Sequence, residues 1–189
     1  PLTAVVNSHW HLDHISGNLA LKAAHPDALV YASNAIDNAI DDFLRPGVIE
    51  GQRLLDSGQA PASLAEDILS DMATVEQAER FRPDRVLTAD GPLPGGDGRL
   101  IARLAPHAAT EGDAWLFDTA SGVAATGDLV TLPAPFLDTA CPEGWITALS
   151  AVAATPFTLV IPGHGRPMDR VGFERYRTAF SRLIDCGRS

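Results

Sequence analysis

The chain has 189 residues, of which 46% are hydrophobic, and 14 Lys and Arg against 24 Asp and Glu give a formal net charge of −10. This size and apolar content suit a globular protein with a sizeable core. The acidic balance disfavours nucleic acid and anionic membrane surfaces as partners, because both repel a negatively charged protein. Cys141 and Cys186 are too few for a disulfide scaffold. No signal segment is visible, so the compartment, cytoplasmic or periplasmic, stays open.

The first part of the chain predicts a strand, helix, strand order followed by a long helical segment. Residues 2–6 (LTAVV) are short, apolar and partly β-branched, which is typical of a buried strand. A helical stretch then stops at Pro26, and residues 28–33 (ALVYAS) predict a second strand. Residues from about 35 to 90 are mostly amphipathic and helical, and we interpret them as an insertion.

The second part predicts three strands, a helix, a further strand and a closing helix. Residues 99–106 predict one strand, and residues 113–128 predict two strands joined by a turn around Ser121 and Gly122. A helix over 143–155, a buried strand within 157–165 and an amphipathic helix over 173–185 follow. No linker or repeat forces a second domain, so we expect one domain over residues 1–189.

Residues 9–14 (HWHLDH) place three histidines and an aspartate directly after the first predicted strand. If the backbone stays extended, His9 and His11 point the same way, as two ligands of one ion must. Asp13 and His14 follow where the chain turns into a helix, and they could reach a second ion. The alternative is a polar turn in which Asp13 caps the helix.

Three later segments add groups of the same kind: His107 in LAPHAATEGD, Asp128 in AATGDLV and His164 in VIPGHGRP. Each follows a strand-like run and lies in a turn rich in glycine or proline, so all three could converge on one edge of a sheet. Taken singly, each is also compatible with an ordinary loop or turn residue.

The HWHLDH run, His107, the TGD aspartate and the PGHG histidine, in this order, resemble the metallo-β-lactamase-fold hydrolases over nearly the whole chain. The resemblance implies an α/β (α+β) fold, the four-layer αββα sandwich of that family. In the family the histidine run normally follows several strands, whereas here it begins at residue 9. We therefore expect part of the N-terminal sheet to be lacking, and residues 2–9 to have an unpaired edge or an under-covered apolar face.

The resemblance also implies seven metal ligands shared between two ions. One ion is held by His9, His11 and His107, the other by Asp13, His14 and His164, and Asp128 bridges them. The sequence HAAT at His107 departs from the HTPG pattern common in the superfamily, which leaves the substrate class open. Three further residues are candidates for orienting ligand imidazoles, or are simple turn residues: Thr110, Asp113 and Thr126.

Imidazole and carboxylate ligands suit zinc, iron or manganese, and the absence of cysteine ligands disfavours soft ions. We take zinc as the first choice, with iron or manganese as alternatives. Two dications about 3.5–4 Å apart can share a water and lower its pKa to near 7. The resulting zinc-bridging hydroxide could attack a carbonyl or phosphoryl centre, and the net positive charge of such a site would favour an anionic substrate.

We therefore expect a dinuclear zinc hydrolase that cleaves a small carboxylic ester, thioester, lactone or lactam. Asp13 is also the candidate for steering a proton to the leaving group. The loop at 131–144 (TLPAPFLDTACPEG) is apolar with no basic residue, which favours a small acyl substrate over a polyanion. The alternatives are an iron-dependent oxidoreductase of the same fold, a phosphodiesterase, or a binding protein that has lost activity. The oligomeric state is undetermined by the sequence.

Overall fold

A computed structural model describes residues 2–187 and divides into two compact units, one ending at Val86 and one beginning at Leu87. Each unit has its own β-sheet and its own helices. Among the helices described, none combines the length and the apolar content needed to cross a bilayer.

The first unit contains a three-stranded parallel sheet. Its strands, in the order β1-β2-β3, are Ala4–Val6, Leu29–Ala32 and Arg85–Val86. Within residues 2–187, β1 pairs with β2 only, and the three side chains of β1 are half-buried. The predicted unpaired edge of the first strand is therefore confirmed.

Helices make up most of the rest of the first unit. They are α1 Leu12–Ile15, α2 Asn18–Ala24, α3 Ile36–Ala39, a π-helical turn Ile40–Leu44, α4 Arg45–Asp56, α5 Ala62–Val75 and a 3₁₀ turn Ala78–Phe81. Ile36, Ile40 and Leu44 recur every four residues and are buried, so this segment presents one apolar stripe to the core of the unit.

The second unit contains a five-stranded sheet of order β4-β5-β6-β7-β8, with one long helix between β7 and β8 and another after β8. The strands are Gly91–Pro92, Leu100–Pro106, Gly112–Asp118, Val123–Thr131 and Leu159–His164, and the helices are α6 Pro142–Ala153 and α7 Arg170–Gly187. Strands β4 to β7 are antiparallel, whereas β7 and β8 are parallel. The parallel pair brings the carboxyl ends of β7 and β8 to the same edge of the sheet.

Trp145 of α6 anchors the core of the second unit. Its side chain is 1% exposed, its indole Nε1 donates a hydrogen bond to the carbonyl of Leu129 at 2.9 Å, and its ring packs on Phe180 of α7. One buried side chain thus ties both helices of this unit to the end of β7. A buried indole without its acceptor would be costly, so this bond fixes the position of α6 against β7.

The turn between β5 and β6 is held by a buried carboxyl group. Asp113 is 2% exposed, and its Oδ2 accepts the backbone N–H of Thr110 at 2.8 Å. Burial raises the pKa of Asp113 to about 7, and the negative charge of Asp128 adds to this effect, although the hydrogen bonds from Thr110 oppose it.

The raised pKa of Asp113 predicts that the metal-free protein loses stability as pH rises. The folded protein holds this proton more tightly than the unfolded chain, because its pKa moves from 3.8 to about 7 on folding. The stabilising effect is complete below about pH 4 and is lost as pH rises through 7, by a few kcal/mol. Urea titrations at pH 5 and pH 8 should show this fall, and Asp113→Asn should reduce it. Asp138→Asn, which alters an exposed carboxyl group, is the matched control; an equal effect of both variants would contradict the assignment.

Candidate metal centre

Two buried amide side chains shape the turn that carries the histidine run of residues 9–14. Asn7 follows β1, and its Nδ2 donates to the carbonyl of His14 at 3.0 Å and to Asn18 Oδ1 at 3.2 Å. In return, Asn18 Nδ2 donates to Asn7 Oδ1 at 2.8 Å, and both side chains are buried. The histidine run is therefore fixed at both ends, at the end of β1 and at the first residue of α2.

Three imidazoles lie against one another in this run. His9 Nε2 and His11 Nδ1 are 2.9 Å apart, and the ring centroids of His9 and His14 are 4.2 Å apart. His9 is 2% exposed, and its Nδ1 shares a hydrogen bond with the Ser8 hydroxyl at 3.0 Å. At 2.9 Å the facing nitrogens of His9 and His11 share either a proton or a cation, since two lone pairs alone would repel.

Asp13 lies beside this cluster but is more exposed than the imidazoles. Its Oδ2 is 3.4 Å from Nε2 of His14, and its side chain is 54% exposed, against 16% for His14. Asp13 is in the first turn of α1, where a carboxylate is also favourable to the helix. The first unit thus offers an imidazole pair, with His9 buried and His11 half-buried, followed by an exposed carboxylate next to a third imidazole.

In the second unit, Asp128 and His164 meet at the ends of β7 and β8. Asp128 Oδ1 lies 3.6 Å from His164 Nε2, and the two side chains are 8% and 45% exposed. Gly163 permits this approach, because a Cβ at that position would overlap Asp128 Oδ1 and crowd the backbone at Gly127. The first glycine of the PGHG sequence is therefore a steric requirement of the Asp128 carboxylate.

His107 lies in a strained turn at the end of β5. Its φ of 56° is in the left-handed region, which non-glycine residues seldom adopt, and its side chain is exposed. Helix α6 approaches this turn so closely that a Cβ at Gly144 would overlap the carbonyl oxygen of His107. Across residues 2–187, His107 belongs to no cluster of three or more potential ligand side chains. Its ligand role therefore remains a prediction.

Sequence reasoning did not identify Tyr176, whose hydroxyl accepts the backbone N–H of Thr131 at 3.3 Å. Burial raises the pKa of Tyr176 to about 12, and the charge of Asp128 contributes to the rise. The phenol is therefore neutral at physiological pH and fixes the carboxyl end of β7. Its only signal in the sequence is its place between Phe173 and Phe180 on the apolar stripe of α7.

The donor groups fit a metal of intermediate hardness. Imidazole nitrogens and carboxylate oxygens suit zinc, iron and manganese alike. Both cysteines, Cys141 and Cys186, are free thiols, and neither belongs to a potential ligand cluster in the described part of the chain. The close approach permitted by Gly163 leaves the Asp128 carboxylate facing His164 with no intervening side chain. These histidines and aspartates could hold a metal, and their chemistry alone does not choose among the three.

The family model described as metallo-beta-lactamase superfamily matches residues 1–185 of the chain. No curated protein matches the chain significantly.

Solved structures of metallo-β-lactamases share the fold. The DIM-1 metallo-β-lactamase structure, exposed to ceftazidime, has a TM-score of 0.60 at 15% identity, over 94% of this chain and 67% of that one. The metallo-β-lactamase from Pontibacter korlensis gives 0.61 at 15% identity, over 96% and 70%. TMB-1 gives 0.63 at 15% identity, over 97% and 69%. At such low identity the likeness shows the fold alone, and it confirms the predicted fold class.

Members of this superfamily bind metal ions, and the family supports a metal-dependent hydrolase as the general class of activity. The sequence match extends over both units of the chain, including every histidine and aspartate described above. The chain therefore belongs to the metallo-β-lactamase superfamily.

Proposed function

We propose that the chain is a dinuclear zinc hydrolase that cleaves a small carboxylic ester, thioester, lactone or lactam. The proposed ligands are His9, His11, Asp13, His14, His107, Asp128 and His164. The observation that carries the proposal is the 2.9 Å separation between His9 Nε2 and His11 Nδ1, in a run where the His9 ring contacts the rings of both His11 and His14.

A cation accounts for this arrangement better than packing does. Burying polar groups is costly unless each has a partner. His9 is 2% exposed, and its Nε2 faces the Nδ1 of a second imidazole, that of His11. Asp128 is a buried carboxylate in a chain that already carries a net charge of −10, so a positive partner would lower its electrostatic cost as well. When bound, a pair of divalent cations supplies an activated water and a Lewis acid for the substrate oxygen.

Asp13 is the residue proposed to move a proton. Its carboxylate is exposed, unlike that of Asp128, so substrate and water can reach it. It lies beside His14, which orients it at the start of α1. In this position Asp13 would accept a proton from the attacking water and pass it to the leaving group as the scissile bond breaks.

The loop after β7 supports an acyl substrate over a polyanion. Residues 131–144 contain no lysine or arginine, and three of their large apolar side chains are exposed: Leu132, Phe136 and Leu137. Exposed apolar side chains favour a substrate with a hydrocarbon part. A phosphodiester polymer would instead require basic side chains along its path.

A substrate panel tests the reaction class. With zinc present, we expect turnover of at least one of an aryl ester, a thioester, a lactone and a β-lactam, and little turnover of bis-p-nitrophenyl phosphate. Turnover of the phosphodiester with none of the acyl substrates would refute the proposed substrate class.

Replacing Asp13 with alanine should lower the occupancy of the second ion and the turnover together. Loss of a general acid typically lowers kcat by about 10²-fold or more. Metal content by inductively coupled plasma mass spectrometry and kcat on the preferred substrate are the two measurements. Asp27→Ala, an exposed carboxylate outside the histidine run, should change neither. Full activity of Asp13→Ala with two ions still bound would contradict the role.

Replacing His11 with alanine should remove a ligand of the first ion. We expect zinc affinity and kcat each to fall by at least about 10²-fold, since even residues that only support a ligand often have effects of 10-fold to 100-fold. His25→Ala is the matched control, because His25 ends α2 and lies outside the run. Equal zinc binding by the His11 and His25 variants would exclude the proposed ligand set.

A further inference from the structure

The first unit contains an apolar pocket of about 150 Å³ next to the histidine run. Its walls come from α1, the π-helical turn, α4 and α5, and six of the side chains that form them are Leu12, Phe43, Val48, Ile68, Met72 and Val75. This pocket lies wholly within the helical segment that follows β2, apart from Leu12. No part of the proposed zinc chemistry requires it.

The size and lining of the pocket define what fits inside. A dry cavity of about 150 Å³ lined by aliphatic and aromatic side chains is large enough to bind benzene. The pocket therefore accommodates one ring or a branched alkyl group of similar size. A fused two-ring group exceeds this volume unless the walls move.

Two glycines on one face of α4 line the pocket and have different roles. Gly47 and Gly51 are one helical turn apart, and both line the pocket. A Cβ at Gly51 would come within 2.8 Å of Ile68 Cγ2, whereas a Cβ at Gly47 would meet no atom within 4 Å. Glycine within a helix costs about 1 kcal/mol relative to alanine. Gly51 thus allows α4 to pack closely against α5, whereas Gly47 leaves open space at the pocket that a larger side chain would occupy.

The π-helical turn places two consecutive residues at the pocket. Phe43 and Leu44 both line it, although Phe43 is 37% exposed and Leu44 is buried. An inserted π turn rotates the residues after it relative to a regular α-helix, and such turns are frequent at functional sites. Phe43 forms part of the rim, and Leu44 part of the floor.

The pocket is directly connected to the proposed ligands of the first unit. Leu12 lies between His11 and Asp13 in the chain, and its side chain is part of the wall. The Trp10 ring packs against both His11, at 4.8 Å between centroids, and Phe43, at 5.1 Å. A group held in the pocket therefore contacts a residue of the histidine run, Leu12.

The charge at the pocket disfavours an anion. The carboxyl group of Asp71 lines it. None of the lining residues is basic. A carboxylate entering here would meet like charge with no compensating cation, whereas an uncharged hydrocarbon would not.

We propose that this pocket binds an uncharged, benzene-sized apolar group of the substrate and so selects acyl compounds that carry one. The link to substrate rests on the proposed hydrolase function, but binding by the pocket does not. The occupant is a phenyl or branched alkyl group of the substrate, and the polar and reactive parts of the substrate remain outside the pocket.

Methyl resonances of methionine test the pocket without metal or turnover. The chain has two methionines, and Met72 lines the pocket while Met168 lies in the second unit. In metal-free protein labelled at the methionine methyl carbons, benzyl alcohol should shift the Met72 resonance saturably and leave Met168 unchanged. Benzoate should bind at least about tenfold more weakly than benzyl alcohol.

The variant Gly47→Leu should fill the pocket and abolish the Met72 shift. Leucine favours the helix more than glycine does, so the variant is expected to fold. Gly187→Leu is the matched control, because Gly187 is also helical with nothing within 4 Å of its Cβ position. If the enzyme is an acyl hydrolase, Gly47→Leu should also lower kcat/KM for aryl-bearing esters while sparing acetyl esters of a small alcohol.

No shift of Met72 with benzyl alcohol, an equal response to benzoate, or an unchanged response in Gly47→Leu would each overturn the proposal. These outcomes leave the hydrolase proposal untouched, because the binding measurement uses neither zinc nor a substrate. Conversely, if the protein binds benzyl alcohol as expected but hydrolyses none of the acyl substrates, the proposed hydrolase function is refuted and the proposed binding by the pocket stands.

Discussion

Both units depend on one constraint: polar groups that are packed closely together need a proton or a cation between them. In the first unit, the nitrogens of His9 and His11 are held 2.9 Å apart with His9 almost fully buried. In the second, the buried Asp128 carboxylate faces His164 in a chain of strongly negative charge. Neither arrangement contributes to an apolar core, and both are costly unless protons or cations reside between the donors. A metal ion is one such partner, and the superfamily to which the chain belongs binds metals.

The residues around these polar groups hold them in place. The reciprocal hydrogen bonds between Asn7 and Asn18 fix the turn on which the histidine run lies, so the imidazoles do not have to be ordered when a ligand binds. Gly163 admits the carboxylate of Asp128, and Trp145 ties α6 to the end of β7. These supporting groups lie in regular elements or directly beside them, which gives a more precise site than mobile loops would.

Local patterns predicted the main strands of the second unit, because β5, β6 and β7 are rich in apolar residues and a clear turn separates the last two. The unpaired edge of β1 also followed from the early position of the histidine run. Other features depend on contacts distant in sequence and could not be predicted. They are the amide pair of Asn7 and Asn18, the left-handed turn at His107 and the open space of the pocket at Gly47. The two-residue strands β3 and β4 are too short to give any periodic signal.

The measurement that tests the central claim most directly is the zinc stoichiometry of the unmodified chain. Native mass spectrometry after equilibration with a slight excess of zinc and removal of free metal counts the ions that remain bound to each molecule. We expect a mass increase of two zinc ions per chain, reversed by a strong chelator. A chain that retains no metal while remaining folded by circular dichroism would contradict it, since the packed imidazoles would then need another explanation.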